Sequence, residues 1–283
     1  MQIAGSGIVV TGAARGIGAG LAERFHQMGA RVVLADVLRS DLEAVAATLN
    51  DRRPGSAWAV VADVSTESGN RELITTAEQL LGPSGIDLFF ANAGVGIGTV
   101  LEATSEDEWN LCFAVNVHAH RWAAKHLVPR WLERGSGYFC STASAAGLLS
   151  QIGSIPYSVT KSAAVAFAES LSITYGDRGI RVSCLCPQGV NTDMLRQGDS
   201  FGSGPATDVV RASGEVLEPD QVAEIVAQAI ESEHFLILPH AQVADFEQRK
   251  AADRDRWLAG MRKLQARVLG GGPHGNTGST PLK

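Results

Sequence analysis

Residues 8 to 36 constrain the fold more than any other stretch of the chain. Ile8-Val9-Val10-Thr11-Gly12 is a short apolar run that stops at a glycine. Gly16 to Met28 then carries Ile17, Leu21 and Phe25 on one helical stripe. Gly29-Ala30 ends that helix, and Arg31 to Asp36 is a second apolar run. Strand, glycine turn, helix and strand at these lengths make a βαβ unit. The turn reads Thr11-Gly12-Ala13-Ala14-Arg15-Gly16-Ile17-Gly18. Glycines let the backbone turn sharply and come close to a pyrophosphate, while the helix start offers N–H donors and the positive end of its dipole. The turn therefore reads as a dinucleotide site in which Gly12, Arg15, Gly16, Ile17 and Gly18 face the cofactor.

Asp36 ends the second strand, 18 residues after Gly18. A carboxylate there accepts hydrogen bonds from adenosine ribose hydroxyls and repels a 2′-phosphate, which favours NAD over NADP. Arg15 pulls the other way, since a cation in the turn can pair with that phosphate. The repulsion at Asp36 is expected to dominate, so NAD is the expected cofactor and NADP the alternative.

Strands and helices keep alternating. Helices are expected over 41–49, 66–81, 106–133, 156–177 and 218–230, and strands over 57–62, 86–91, 137–142, 180–186 and 235–238. Asp63-Val64 lies past the third strand, where the carboxylate reaches an adenine amino group or simply caps a turn. Asn92-Ala93-Gly94 follows the fourth strand, and its small residues allow close approach of a ribose or nicotinamide. Asn116 sits inside the long helical stretch, where a buried amide must find partners or cost stability. His118 and His120, two apart, read as packing or interface residues.

Ser144 lies just beyond the fifth strand, ahead of an Ala/Gly-rich loop. Tyr157 and Lys161 are four apart, so on a helix opened by Pro156 they share one face. An ammonium beside a phenol favours the phenolate and lowers its pKa from about 10, which suits a general base or, in reverse, a general acid. Pro187 to Thr192 follows the sixth strand.

Composition narrows the classes. A chain of 283 residues with 45% hydrophobic and 19% charged residues can bury a substantial core. The net charge of −6 argues against nucleic acid or an anionic membrane as partner. No run of 18 apolar residues and no secretory leader pattern is present, which points to the cytoplasm. Cys112, Cys140, Cys184 and Cys186 have neither disulfide-framework nor zinc spacing, and no metal is expected. About 24 residues after Thr192 are irregular and rich in Gly and Ser, as in a mobile lid. Residues 241–268 read as an amphipathic helical extension, with a kink possible, and 269–283 as a disordered tail.

With these motifs in order, the chain resembles the short-chain dehydrogenase/reductase family over about residues 5 to 240. The resemblance implies an α/β fold: one Rossmann-type domain, a doubly wound seven-stranded parallel sheet of order 3-2-1-4-5-6-7 with helices on both faces. It further implies that Tyr157 is the acid/base, that Ser144 binds the substrate oxygen, and that Lys161 lowers the tyrosine pKa and holds the nicotinamide ribose. By the same resemblance Asn116 holds a water in a proton relay, and Thr192 fixes the carboxamide within a cofactor-binding segment that includes Pro187, Gly189 and Val190. Two positions depart from the family pattern: Ala91 replaces the usual Asn, and Gln188 separates Pro187 from Gly189. The expected activity is hydride transfer between NAD and a secondary alcohol or its ketone. An NADPH-dependent ketoreductase of fatty-acid or polyketide type is the alternative, and a catalytically silent nucleotide sensor or scaffold a further one. Val95, Ile97, Leu148, Leu149, Ile152 and Ile155, with Met194, Leu195 and Phe201 on the lid, suggest a hydrophobic or cyclic substrate. Helices 106–133 and 156–177 carry the faces that pair in this family's dimers and tetramers, so a homotetramer or homodimer is expected.

Overall fold

The computed structural model describes residues 1–200 and 214–270. Seven strands form one parallel sheet: β1 Gly7–Thr11, β2 Arg31–Asp36, β3 Ala57–Val61, β4 Leu88–Ala91, β5 Gly137–Thr142, β6 Ile180–Leu185 and β7 Leu236–Ile237, in the order β3-β2-β1-β4-β5-β6-β7. This is the expected fold class and strand order. The order reverses between β1 and β4, and there open sheets of this kind leave a crevice at their carboxyl edge.

Both faces of the sheet are covered, which is why its strands read as continuous apolar runs rather than alternating ones. Ile8, Val10, Val32, Leu34, Leu88 and Phe90 point to the side held by helices α1 Gly16–Gln27, α2 Arg39–Arg52 and α9 Pro219–Glu231. Val9, Val33, Phe89 and Phe139 point to the other side, under α3 Glu67–Leu81, α5 Ala119–Arg134 and α7 Ile155–Tyr175. Cys184 and Cys186 are buried in that second layer, as strand-core residues.

Four local features differ from the expectations. The helix expected over 106–133 is three pieces: α4 Glu106–Phe113, a wide π-type turn Ala114–His118, and α5. In that turn the Ala119 N–H reaches back five residues to the Ala114 carbonyl, and such turns concentrate at functional sites. The Ala/Gly-rich loop after Ser144 begins with a short helix, α6 Ala145–Leu149. The first part of the expected lid is helical, α8 Asp193–Ser200; Phe201 to Gly204 and the Gly-rich tail beyond 270 lie outside the described residues. The amphipathic extension is two helices, α10 Gln242–Ala252 and α11 Arg254–Gly270, separated at Asp253, whose carboxylate accepts the Arg256 N–H at 2.9 Å.

The extension is fastened beside the sheet's carboxyl edge. Val243 is fully buried against Ala145 and Leu149 of α6, with Phe246 and Trp257 packed around them. The Lys250 ammonium also donates to the Leu148 carbonyl. Truncating Val243→Ala removes two buried methyl groups, about 1.5 kcal/mol by transfer alone. The expected outcome is faster amide exchange confined to 242–270 with the sheet's protection unchanged, measured by hydrogen exchange and mass spectrometry.

Candidate active site

The carboxyl ends of β1, β4 and β5 are stitched together by polar side chains. Thr11 Oγ1 accepts the N–H groups of Asn92 and Ala93, both at 3.0 Å. The Asn92 amide donates to the Thr11 carbonyl at 3.0 Å and to the Gly12 carbonyl at 3.4 Å, and its oxygen accepts the Thr142 hydroxyl at 3.1 Å. Asn92 lines the cleft, but its side chain is committed to holding the glycine turn in place. Gly18 closes that turn: a Cβ there would lie 2.0 Å from the Gly12 carbonyl oxygen.

The cleft along this edge measures about 1860 Å³. One end is lined by Gly12, Arg15, Gly16, Ile17, Gly18, Asp36, Asp63 and Val64. No side chain caps the start of α1, so its first-turn N–H groups are available to a ligand. A Cβ at Gly12 would meet the Ala93 Cα at 2.9 Å, and one at Gly94 would come within 3.2 Å of Lys161 Nζ. This backbone-floored channel fits the diphosphate and ribose of a dinucleotide. The Asp36 carboxylate is set by the N–H groups of Ala14 (3.1 Å) and Leu38 (3.0 Å). Asp63 accepts the Ser65 N–H at 2.9 Å, the turn-capping arrangement, while still lining the cleft. Arg15 is paired with Asp41 at 2.6 Å and with Asp193 at 3.2 Å; the sequence reading had not paired it.

Ser144, Tyr157 and Lys161 meet further along the same cleft. Ser144 caps α6, its Oγ accepting the Ala146 N–H at 3.1 Å; its hydroxyl donates to the Pro187 carbonyl at 3.4 Å and stands beside Tyr157. Lys161 is 2% exposed; its ammonium donates to the Thr142 carbonyl at 2.9 Å and lies 5.6 Å from the Tyr157 ring centroid. Burial pushes the Lys161 pKa down from 10.5 to about 8. The Tyr157 phenol is pushed up by burial, with the neighbouring Ser144 hydroxyl acting against that rise. The expected lowering of the tyrosine pKa by Lys161 is thus corrected for the protein by itself: desolvation dominates, and the ammonium sits over the ring and bonds a carbonyl.

Asn116 is fully buried and does not line the cleft. Its oxygen accepts the Val95 N–H, and its amide nitrogen donates to the Val95 carbonyl, all at 2.9 Å, and to Thr160 Oγ1 at 3.1 Å. Both amide hydrogens are used, so the side chain clamps the loop after β4 onto α7. Behind Lys161, the buried His120 accepts or donates to Ser141 Oγ at 2.7 Å, and burial holds its pKa at about 3.

Pro187, Val190 and Thr192 line the cleft; Gly189 does not, its carbonyl meeting His240 Nε2 at 3.1 Å. Gln188 faces the extension, its Oε1 accepting the Gln242 amide at 3.2 Å. Of the expected apolar lining, Val95, Ile97, Leu149, Met194 and Leu195 are present. Leu148, Ile152 and Ile155 are not: the first two pack inward, and Ile155 faces outward at 39% exposure. Phe201 lies outside the described residues. Missed by the sequence reading were Phe246, Trp257, Met261 and Leu264, which line the cleft from the extension. Their helical stripe was visible, but not the surface it covers.

Comparison with known proteins agrees with this geometry. A family model described as short chain dehydrogenase matches residues 6–201. The 1-deoxy-11-beta-hydroxypentalenate dehydrogenase of Streptomyces avermitilis is 34% identical over 244 residues, 85% of this chain and 87% of that protein. The 17-beta-hydroxysteroid dehydrogenase 13 of Rattus norvegicus is 35% identical over 234 residues, 81% of this chain and 73% of that protein. The crystal structure of a short chain dehydrogenase/reductase from Burkholderia phymatum in complex with NAD superposes with a TM-score of 0.82 at 28% identity, covering 90% of this chain and 96% of that one. The chain belongs to the short-chain dehydrogenase/reductase family.

Proposed function

We propose that this protein transfers a hydride between NAD(H) and a secondary alcohol or its ketone, with Tyr157 as the acid/base group. The observation that carries the reading is the convergence of Ser144, Tyr157 and Lys161 in the cleft that the glycine turn opens. The nicotinamide, when bound, supplies the carbon that accepts or gives the hydride. Ser144 and Tyr157 present two hydroxyls to one substrate oxygen. In oxidation Tyr157 receives the hydroxyl proton while the carbon-bound hydrogen leaves as hydride; in reduction it returns the proton to the ketone oxygen. Its raised pKa keeps the phenol protonated at neutral pH, so acting as a base needs positive charge nearby, and Lys161 is the resident cation. Lys161 would hold the nicotinamide ribose, Thr192 the carboxamide, and Asn116 acts as a positioning residue.

NAD is favoured over NADP by the charges at the other end. A 2′-phosphate would face Asp36, and Arg15 is already engaged by Asp41 and Asp193. Two like charges 4 Å apart repel by about 4 kcal/mol at an effective dielectric constant near 20. The relatives named for hydroxypentalenate and hydroxysteroid support a hydrophobic or cyclic substrate, as do Val95, Ile97 and Leu149 in the cleft. We also assign the protein to the cytoplasm, since none of the described helices is long and apolar enough to cross a membrane. Pairing through α4–α5 and α7 is supported by exposed Leu111, Val159 and Ile173, the last 85% exposed.

Tyr157→Phe should lower single-turnover hydride transfer at least a hundredfold with NAD affinity nearly intact; unchanged rates would sink the reading. Asp36→Ala should weaken NADH and tighten NADPH, moving the ratio of their dissociation constants by ten- to a hundredfold in a fluorescence titration. Lys161→Met should abolish turnover yet raise the thermal midpoint at pH 7. The sign follows from burial: the folded lysine binds its proton less tightly than the unfolded one, so it weakens the fold below about pH 8. Wild-type stability from this residue recovers between about 8 and 10.5, and calorimetry should show the variant's advantage shrinking across that window.

A further inference from the structure

The hydride-transfer reading leaves the last two helices without a role, although both line the reaction cleft. On α11 the lining residues are Arg256, Trp257, Gly260, Met261, Leu264 and Arg267. At about 100° per residue they fall within roughly 140° of the helix surface. Arg256 and Arg267 stand about 20° apart at one edge but about three turns, roughly 16 Å, apart along the axis, with Gly260 and Leu264 in the middle and Trp257 and Met261 at the other edge. The face turned to the cleft is therefore an apolar stripe with a cationic border. Gly260 keeps its middle open: an added Cβ there would meet nothing within 4 Å.

Among the described residues, the cations on this face have no carboxylate partner. Among the described residues, the side chains of Arg256 and Arg267 form no ion pair, and Arg249 on α10 lies 5.7 Å over the Phe246 ring. Two carboxylates that also line the cleft, those of Asp253 and Glu108, already accept hydrogen bonds. Asp253 accepts the Arg256 backbone N–H, and Glu108 accepts both the N–H and the hydroxyl of Ser105. Arg15, at the cofactor end, shows the contrast, since two carboxylates hold it. Unpaired guanidinium groups bordering an apolar wall, in a chain of net charge −6, present complementarity to an anion.

The wall is also held at a set position relative to the chemistry. Val243 packs under Ala145 and Leu149 of α6, the helix that Ser144 caps, and Gln242 bonds Gln188. A ligand gripped by α11 is thereby placed with respect to the Ser144 and Tyr157 hydroxyls.

We propose that the cleft selects alcohols whose apolar body ends in a carboxylate, with the guanidinium of Arg256 or of Arg267 binding the carboxylate and Trp257, Met261 and Leu264 covering the body. This rests on the hydride-transfer reading of the same site. The test uses the full-length enzyme saturated with NAD and two acids with a secondary hydroxyl, lithocholate and 12-hydroxystearate, each beside its methyl ester. Binding is followed by tryptophan fluorescence and isothermal calorimetry, and turnover by NADH formation. At least one acid should bind about ten- to a hundredfold more tightly than its ester at low salt, as expected for charge-assisted hydrogen bonds. In R256Q/R267Q that preference should fall at least tenfold while the ester's affinity changes less than twofold, and added salt should erode it in the wild type.

Equal binding of both acids and their esters would overturn the proposal, as would a preference that survives in the double variant. Oxidation of acid and ester alike without an arginine-dependent preference leaves the hydride-transfer reading standing and removes this one. Arginine-dependent binding of an acid with no turnover of any alcohol does the reverse.

Discussion

The buried ammonium of Lys161 is the constraint to which the site answers. It is 2% exposed, and it donates to the Thr142 carbonyl at 2.9 Å. Taking an ion out of water costs several kcal/mol even after relaxation, and one charged hydrogen bond returns about 1.5–3 kcal/mol. The residue is therefore unfavourable to the fold, and its pKa near 8 is the sign of that. A position like this persists when the rest of the structure can carry it. Here the carrying is done by a sheet whose two apolar faces are both covered, with Phe89, Phe90 and Phe139 fully or almost fully buried. His120, behind the lysine, stays neutral through its own burial and adds no second charge.

Around that ammonium, polar residues divide into those that hold the platform and those that face the cleft. Thr11, Asn92 and Thr142 join three strand ends, so the glycine turn, the loop after β4 and the end of β5 move as one piece. Asn116 joins the loop after β4 to α7 through Val95 and Thr160, which fixes the helix that carries Tyr157 and Lys161. The π-type turn puts the amide there: an extra residue in the turn shifts Asn116 out of the register a plain helix would give it. Such internally satisfied groups preorganise a site without touching the reactants, and removing one is expected to disturb geometry before chemistry.

The sheet and most of the reactive residues were legible because their signals are local. The apolar runs at 31–36 and 137–142 need only their neighbours to be read, and Tyr157 and Lys161 share a face by spacing alone. What escaped depends on distant partners or on pieces too short to show a period. α6 is five residues long, less than two helical turns, so Ala145 to Leu149 reads as loop. The pairing of Arg15 with Asp41 and Asp193 joins residues 26 and 178 positions apart. The direction of the Tyr157 shift depends on how completely the phenol is desolvated, which spacing does not report. The stripe of Trp257, Met261 and Leu264 was visible, but an amphipathic helix does not announce which surface it covers.

The two ends of the cleft are consequently built under different physical rules. At the sheet edge most polar groups are committed to one another, so a change there breaks the platform and leaves little freedom to tune what binds. The extension is added after the last strand and touches the platform through α6 and the loop at Gln188, so its exposed residues can change without unstitching β1, β4 and β5. The departure at Gln188 fits this division. A side chain longer than the family pattern calls for at that point lines the cleft and accepts the Gln242 amide, in contact with the extension. The reacting end is thus held by satisfied hydrogen bonds, and under our proposal discrimination among substrates falls to the helices on which Arg256 and Arg267 form no ion pair among the described residues.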